Sequence, residues 1–360
     1  MSPRKTPSEI ATQRDGVCLL LRNLHMKRRD FLKATLGLGG AAAINKLMTD
    51  FQQSAVLTTR GKSNAPLLPR RPYGRTGADL SIIGFGGVVV AGVEQKHADK
   101  VVAWSVEKGI NYFDVAPTYG DAELKLGPAL KPYRKKAFLA CKTTQRNAEG
   151  ARVELKRSLK RLETDYLDLY QLHGITNVKK DVDAAFAKGG AMEALIEARK
   201  AGVVRHLGFS AHSVDATLAA MDRYDFDSVL FPINFACFYS GNFGPQVVRK
   251  ATQQNVTLLA LKAMARGRWL SNDPSQQKKF PKCWYRPLSD PHEVNLGLRF
   301  ALSQPVAAAI PPGDEGLFRM AVDLAMNFKP VTPAEQKEIE AWGAKVKPIF
   351  RHEDKKPANT

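Results

Sequence analysis

Eight times between residues 81 and 310, a short apolar run gives way to a longer stretch of helical periodicity. The runs are Ser81–Gly86, Asn111–Val115, Ala137–Lys142, Leu167–Leu172, Val203–Phe209, Ser228–Phe231, Thr257–Leu261 and Val306–Ile310. Helical stretches lie near 97–109, 121–131, 149–163, 189–201, 213–223, 244–255, 290–303 and 315–328. Eight strands, each followed by a helix, predict an α/β fold: a single (β/α)8 TIM barrel over residues 71–346. A doubly wound open sheet also alternates. Its Gly-x-Gly-x-x-Gly turn is absent from the first strand–helix junction, which argues against it. Thr332-Pro333-Ala334-Glu335 has the form of a capping box with Pro at the first helical position, and predicts one more helix.

The chain has 360 residues, 44% of them hydrophobic, enough to fill one large core and to exclude wholesale disorder. Glycine and proline follow no repeat period, so collagen and solenoid folds are excluded. No stretch reaches about 18 uninterrupted apolar residues, which argues against a transmembrane helix. The net charge is +19, with 54 Lys+Arg against 35 Asp+Glu. Zinc-finger spacing and aromatic RNA-binding signatures are missing, and no basic block is longer than the three residues of Lys27 to Arg29, so nucleic acid is not an expected partner. Cys18, Cys141, Cys237 and Cys283 form no C-x-x-C pair, so no metal site is expected.

The N-terminus reads as an address. Lys27-Arg28-Arg29 leads into a weakly apolar run from Ala34 to Ile44, too short to span a bilayer but suited to a signal peptide. The string Arg28-Arg29-Asp30-Phe31-Leu32-Lys33 resembles the twin-arginine (Tat) export signal. Residues 1–44 are therefore expected to hold upstream residues and the signal, with Met26 as an alternative start. Residues 45–70 read as a linker and 347–360 as a C-terminal tail. No cysteine follows the apolar run, so a lipid anchor is not expected. The expected location is the periplasm or another exported site, with the twin-arginine machinery as a transport partner.

The chemistry gathers at successive strand ends. Asp114 closes the second strand, and Tyr119 follows in its loop. Lys142 closes the third and His173 the fourth. In a barrel, all four reach the same mouth. Lys142 and Asp114 should pair, since each alone would be costly at an apolar rim. A lysine beside a tyrosine favours phenolate, so a lowered Tyr119 pKa is expected.

The chain resembles the aldo/keto reductase superfamily. The resemblance runs from Tyr73-Gly74-Arg75-Thr76-Gly77 to about Met326. It rests on Asn111-Tyr112-Phe113-Asp114 through Tyr119-Gly120, on Asp165 to His173, and on Gly202-Val203-Val204-Arg205-His206-Leu207-Gly208-Phe209-Ser210. It implies Tyr119 as general acid or base, tuned by Lys142 and Asp114, with His173 positioning the substrate carbonyl. It also implies NADP or NAD bound across the mouth without a Rossmann fold. The substrate would be a small carbonyl compound or sugar.

By the same resemblance, Ser210 would hold the carboxamide, Lys262 would meet the pyrophosphate, Gly313 would sit in the phosphate loop and Arg319 would face the adenosine phosphate. Several neighbours depart from the family pattern. Ala211 replaces an Asn, Pro232 stands where a Gln is common, and Leu261 stands where an aromatic residue usually stacks. Asp323 replaces an Asn, and Asp314 takes the place of a hydroxyl at the 2′-phosphate. A carboxylate there repels phosphate, so dual or NADH-leaning binding is expected. The long segment Ala265–Ser289 reads as irregular and functional. Two readings follow: an exported, nicotinamide-dependent carbonyl or sugar oxidoreductase, and an exported barrel with tightly bound cofactor that binds or regulates rather than turns over.

Overall fold

Strands rich in Leu, Val and Ala with few polar breaks form sheets that need cover on both faces, and a parallel barrel wrapped in helices supplies it. A computed structural model describes residues 67–270 and 274–353. The twin-arginine string, the apolar run after it, Cys18 and residues 45–66 of the expected linker lie outside the described residues.

The barrel strands are β1 (Phe85–Gly86), β2 (Tyr112–Asp114), β3 (Phe138–Thr143), β4 (Leu167–Ile175), β5 (Val204–Ala211), β6 (Ser228–Pro232), β7 (Thr257–Leu261) and β8 (Val306–Ile310). Each pairs in parallel with the next. Ile83, just before β1, bridges to Ala309 of β8. There the Gly84 N–H donates to the Ala309 carbonyl at 2.9 Å, and the Ala309 N–H donates to the Ile82 carbonyl at 2.8 Å. The result is a (β/α)8 barrel, as the alternation predicts.

The covering helices follow their strands in order: α1 (Gln95–Glu107), α2 (Ala122–Leu130), α3 (Ala148–Arg161), α4 (Ala191–Lys200), α5 (Val214–Arg223), α6 (Pro245–Gln254), α7 (Pro291–Ser303) and α8 (Glu315–Met326). A last helix, α9 (Pro333–Gly343), begins with the expected capping box between Thr332 and Glu335. Tyr112, Phe138, Leu169, Leu230 and Leu259 pack together in a cluster of their own, while a larger apolar cluster joins strands to helices. Burial of each such side chain contributes roughly 1.5–3 kcal/mol.

Three features differ from the expected layout. The first strand does not run unbroken from Ser81 to Gly86. Asp79–Ser81 instead pairs with Arg70–Pro72 in an antiparallel hairpin. Tyr73, at the hairpin turn, is buried and donates its hydroxyl hydrogen to Ser228 Oγ at 2.7 Å. Gly74 has φ 53°, and a Cβ there would strike Thr257, so the turn seats against β7 only with glycine. Second, the long segment after β7 is not wholly irregular: Ala265–Gly267 pairs with Arg286–Pro287, and Pro274–Lys279 is helical. Third, the segment expected as a tail packs on the protein. Ile349 is buried, and the Phe350 ring stacks on His212 and Phe243 at 5.2 and 5.1 Å.

Candidate active site

The C-terminal ends of β2, β3 and β4 present Asp114, Lys142 and His173 side by side. Asp114 pairs with Ala140, and Lys142 with Gln171, in the ladder. Lys142 Nζ donates to Asp114 Oδ2 at 2.5 Å and to the Val115 carbonyl at 3.1 Å. Tyr112 donates to the other carboxylate oxygen at 3.3 Å. The expected Lys142–Asp114 pair is therefore present, inside the protein rather than at a wet rim. Burial on its own would discharge Lys142. The Asp114 carboxylate outweighs it and holds the amine pKa above its usual value.

Tyr119 is carried by the turn after β2. Its N–H donates to the Ala116 carbonyl at 3.1 Å, and Gly120, at φ 61°, permits the reversal into α2. Lys142 Nζ lies 5.2 Å from the centre of the Tyr119 ring. His173 meets the same ring edge-on, with centroids 5.8 Å apart and planes at 85°. All four expected residues are thus brought together.

The expected lowering of the Tyr119 pKa does not hold. Burial pushes the phenol up, and Lys142 pulls it only part of the way back, so the net shift is upward. Taking the phenol out of water costs the phenolate more than one ammonium, itself shared with Asp114, returns. His173 is pushed down to about 3, first by burial and then by Lys142, Arg146 and Lys262, so its imidazole is neutral at physiological pH. Arg146 Nη2 donates to the His173 carbonyl at 2.7 Å and fixes this end of β4.

The residues expected to hold a cofactor are more dispersed. Ser210 is buried at the end of β5, and its Oγ accepts from the Gly174 N–H at 2.8 Å, which leaves the hydroxyl hydrogen free to donate. Lys262, just past β7, lies 3.1 Å from His212 Nε2. Gly313 is where a Cβ would run into Val88, so its lack of a side chain serves packing. Arg319 pairs with Glu315 at 2.9 Å and lies 4.2 Å from the Trp104 ring.

Asp314 serves the fold directly, because its carboxylate accepts from the Leu317 N–H at 2.9 Å and caps α8. It thereby takes a helix N-terminal donor that a bound phosphate could otherwise use. The carbonyl-facing groups fit a nicotinamide, and Ser210 and Lys262 could hold it.

Sequence reasoning passed over His212, Arg146 and Phe350, and reached Trp284 only as one residue of the long segment Ala265–Ser289. His212 had a signal: it stands two residues beyond Ser210, so strand alternation puts both on one side. Phe350 had none, because it reaches the mouth from the C-terminal segment, whereas Trp284 lies in the long segment whose length marks it as functional. Among the described residues, no group of three or more His, Cys, Asp or Glu could hold a metal ion.

Residues 82–336 match the aldo/keto reductase family. Over 159 residues the chain is 33% identical to the aldo-keto reductase YhdN of Bacillus subtilis (strain 168), covering 39% of this chain and 46% of that protein. Over 187 residues it is 29% identical to the L-galactose dehydrogenase of Arabidopsis thaliana, covering 48% and 57%. The chain thus spans about half the length of these relatives. The aldo-keto reductase AKR11C1 from Bacillus halodurans (holo form) superposes with a TM-score of 0.61 at 22% identity, over 79% of this chain and 99% of that one, a likeness of fold.

Proposed function

The chain belongs to the aldo/keto reductase family, and from that premise we propose that it is a nicotinamide-dependent oxidoreductase acting on a small aldehyde, ketone or sugar carbonyl, with Tyr119 as its proton donor. The observation that carries this reading is the buried Lys142–Asp114 pair set against the Tyr119 ring, with neutral His173 at that ring's edge. When bound, the nicotinamide supplies a hydride to the carbonyl carbon. Tyr119 gives its phenolic proton to the carbonyl oxygen as negative charge develops there. Lys142 stabilises the phenolate left behind, and Asp114 keeps Lys142 charged. His173, neutral, donates a ring N–H to the carbonyl and sets its angle.

The raised pKa keeps Tyr119 protonated at neutral pH, the state that reduction requires. The reverse reaction, alcohol oxidation, needs phenolate and gains as pH rises. Cofactor choice leans to NADH or to both forms, because Glu315 already pairs with Arg319 and the Asp314 carboxylate occupies the N-terminus of α8.

Export by the twin-arginine pathway belongs to the same proposal, on the strength of Arg28-Arg29-Asp30-Phe31-Leu32-Lys33. That route carries folded proteins, so cofactor bound in the cytoplasm would travel along. No helix among the described residues is long and apolar enough to cross a membrane.

The test is the absorbance of purified protein before and after adding NADH or NADPH, followed by addition of 4-nitrobenzaldehyde. Loss of the reduced-nicotinamide band on adding the aldehyde supports turnover. A bound cofactor whose band persists with this and other reactive carbonyls favours the binding or regulatory role instead.

A further inference from the structure

We propose that Lys262 is a second carbonyl-reactive group at the barrel mouth: a nucleophilic amine that captures small aldehydes reversibly as an imine. The chain enters the left-handed region at this residue, with φ 58°, an uncommon state for a long side chain. It does so just where β7 ends, at the face on which barrels build their sites. The side chain is only partly exposed.

The groups around Lys262 give its ammonium form little support. Nζ lies 3.1 Å from His212 Nε2 and 5.4 Å from the centre of the Trp284 ring. No carboxylate among the described residues forms an ion pair with it. The Cys237 thiol, beyond β6, is buried, and its own pKa is raised by that burial, so it supplies no negative charge at neutral pH. From β3, Lys142 adds like charge, and His173 on β4 is neutral. Burial, and then Lys142, bring the Lys262 amine down to about 7 against the small upward pull of Cys237. His212 is pushed down to about 2 by burial, Lys262 and His173, so its imidazole is neutral. A desolvated lysine beside another cation, with its lone pair available, is the usual form of an imine-forming nucleophile.

The surroundings suit a small apolar carbonyl compound. Trp284 is 60% exposed and stands edge-on to Phe350, which in turn stacks on His212. The step balances without any other reagent. The Nζ lone pair adds to the carbonyl carbon, the new C–N bond becomes C=N, and both amine hydrogens leave with the carbonyl oxygen as water. No electrons are transferred. The proton shed on addition passes to solvent water, which returns it as the carbonyl oxygen departs, because His212 is too weak a base to hold it. The carbonyl class of the ligand rests on the oxidoreductase reading. Capture itself needs neither nicotinamide nor hydride transfer.

The experiment is reductive trapping. The purified full-length protein is treated at pH 7 with propionaldehyde and sodium cyanoborohydride, without nicotinamide, and its peptides are mapped by mass spectrometry. At this pH an ordinary lysine holds well under 1% of its amine uncharged, against roughly half for an amine near 7. Lys262 should therefore be alkylated at least about tenfold faster than exposed Lys131, even after allowing for its weaker basicity. Its rate should rise through pH 7 and level off above about pH 8. Tyr119→Phe should be trapped like the parent, which separates this result from the reductase reading. Lys262→Arg, checked for folding by circular dichroism, should lose the label. Trapping of Lys262 no faster than Lys131, or a rate that climbs without a break to pH 10, overturns the proposal on the parent protein alone.

Discussion

Lys142 Nζ lies 2.5 Å from Asp114 Oδ2 in a pair whose side chains are 0% and 3% exposed. A buried ion pair does little for stability against a well-packed apolar substitute, yet half of one is a severe liability. Here it holds a permanent positive charge against the ring of Tyr119, where an apolar pair would leave the phenol in a neutral setting.

Tyr119→Phe keeps the ring and its packing on His173 and Lys142 and removes the proton donor. The hydride step should slow by a factor on the order of 10²–10⁴. Cofactor affinity and fold should barely change. Single-turnover oxidation of bound NADH or NADPH by a quinone or 4-nitrobenzaldehyde measures this. Reduction at the parent rate would remove Tyr119 from the mechanism.

Lys142→Met leaves Asp114 buried without its partner and should cost roughly 3–5 kcal/mol in urea unfolding. Adding Asp114→Asn should restore part of that loss. Tyr119→Phe and Lys142→Met act on one proton transfer, so their kinetic losses should fall far short of additive. Additive losses would show that Lys142 acts on some other step.

Asp314→Ser keeps a side chain able to cap α8 and removes the carboxylate. NADPH affinity should rise relative to NADH by about fivefold at most, since exposed charge pairs are worth about 0–1 kcal/mol. Titration by protein fluorescence decides. A parent preference for NADPH above about a thousandfold, some 4 kcal/mol, would mean that Asp314 does not face the phosphate.

His173 and His212 have folded-state pKa values of about 3 and about 2, below the unfolded value of about 6.5. Below pH 6.5 the unfolded chain binds protons that the folded chain refuses. Stability is therefore complete above about pH 6.5 and falls as pH drops toward 3, by on the order of 1 kcal/mol per pH unit for each group. Thermal unfolding at pH 7 and pH 5 should show the loss, and His212→Asn should make it shallower. An unchanged slope in that variant would contradict the assignment.

Replacing Arg28-Arg29 with Lys-Lys should retain the protein in the cytoplasm when cells are fractionated. Equal periplasmic amounts from both versions would end the twin-arginine reading.

Strand–helix alternation was legible in the sequence because each barrel strand must be apolar along its length and each covering helix amphipathic, both local patterns. Seven of the eight strands lie within a few residues of their expected bounds, while the first was merged with a hairpin strand. The merger has a cause: Ser81 and Phe85 lie in one apolar run, and only Ser81's pairing with Arg70 divides them. Asp114, Tyr119, Lys142 and His173 could be chosen because chemistry at strand ends recurs at fixed offsets from the strands themselves. Desolvation was not legible. It sums over atoms from every element around a group, so the sign of the Tyr119 shift and the depressed amine of Lys262 emerge only when the barrel closes. The approach of Phe350 to His212 spans 138 positions of chain, and no local pattern encodes it. Residue types and local periodicity thus determined the barrel and the four side chains gathered at its mouth, while tertiary packing decided which of those groups carry charge, because charge depends on how much water and which neighbours remain.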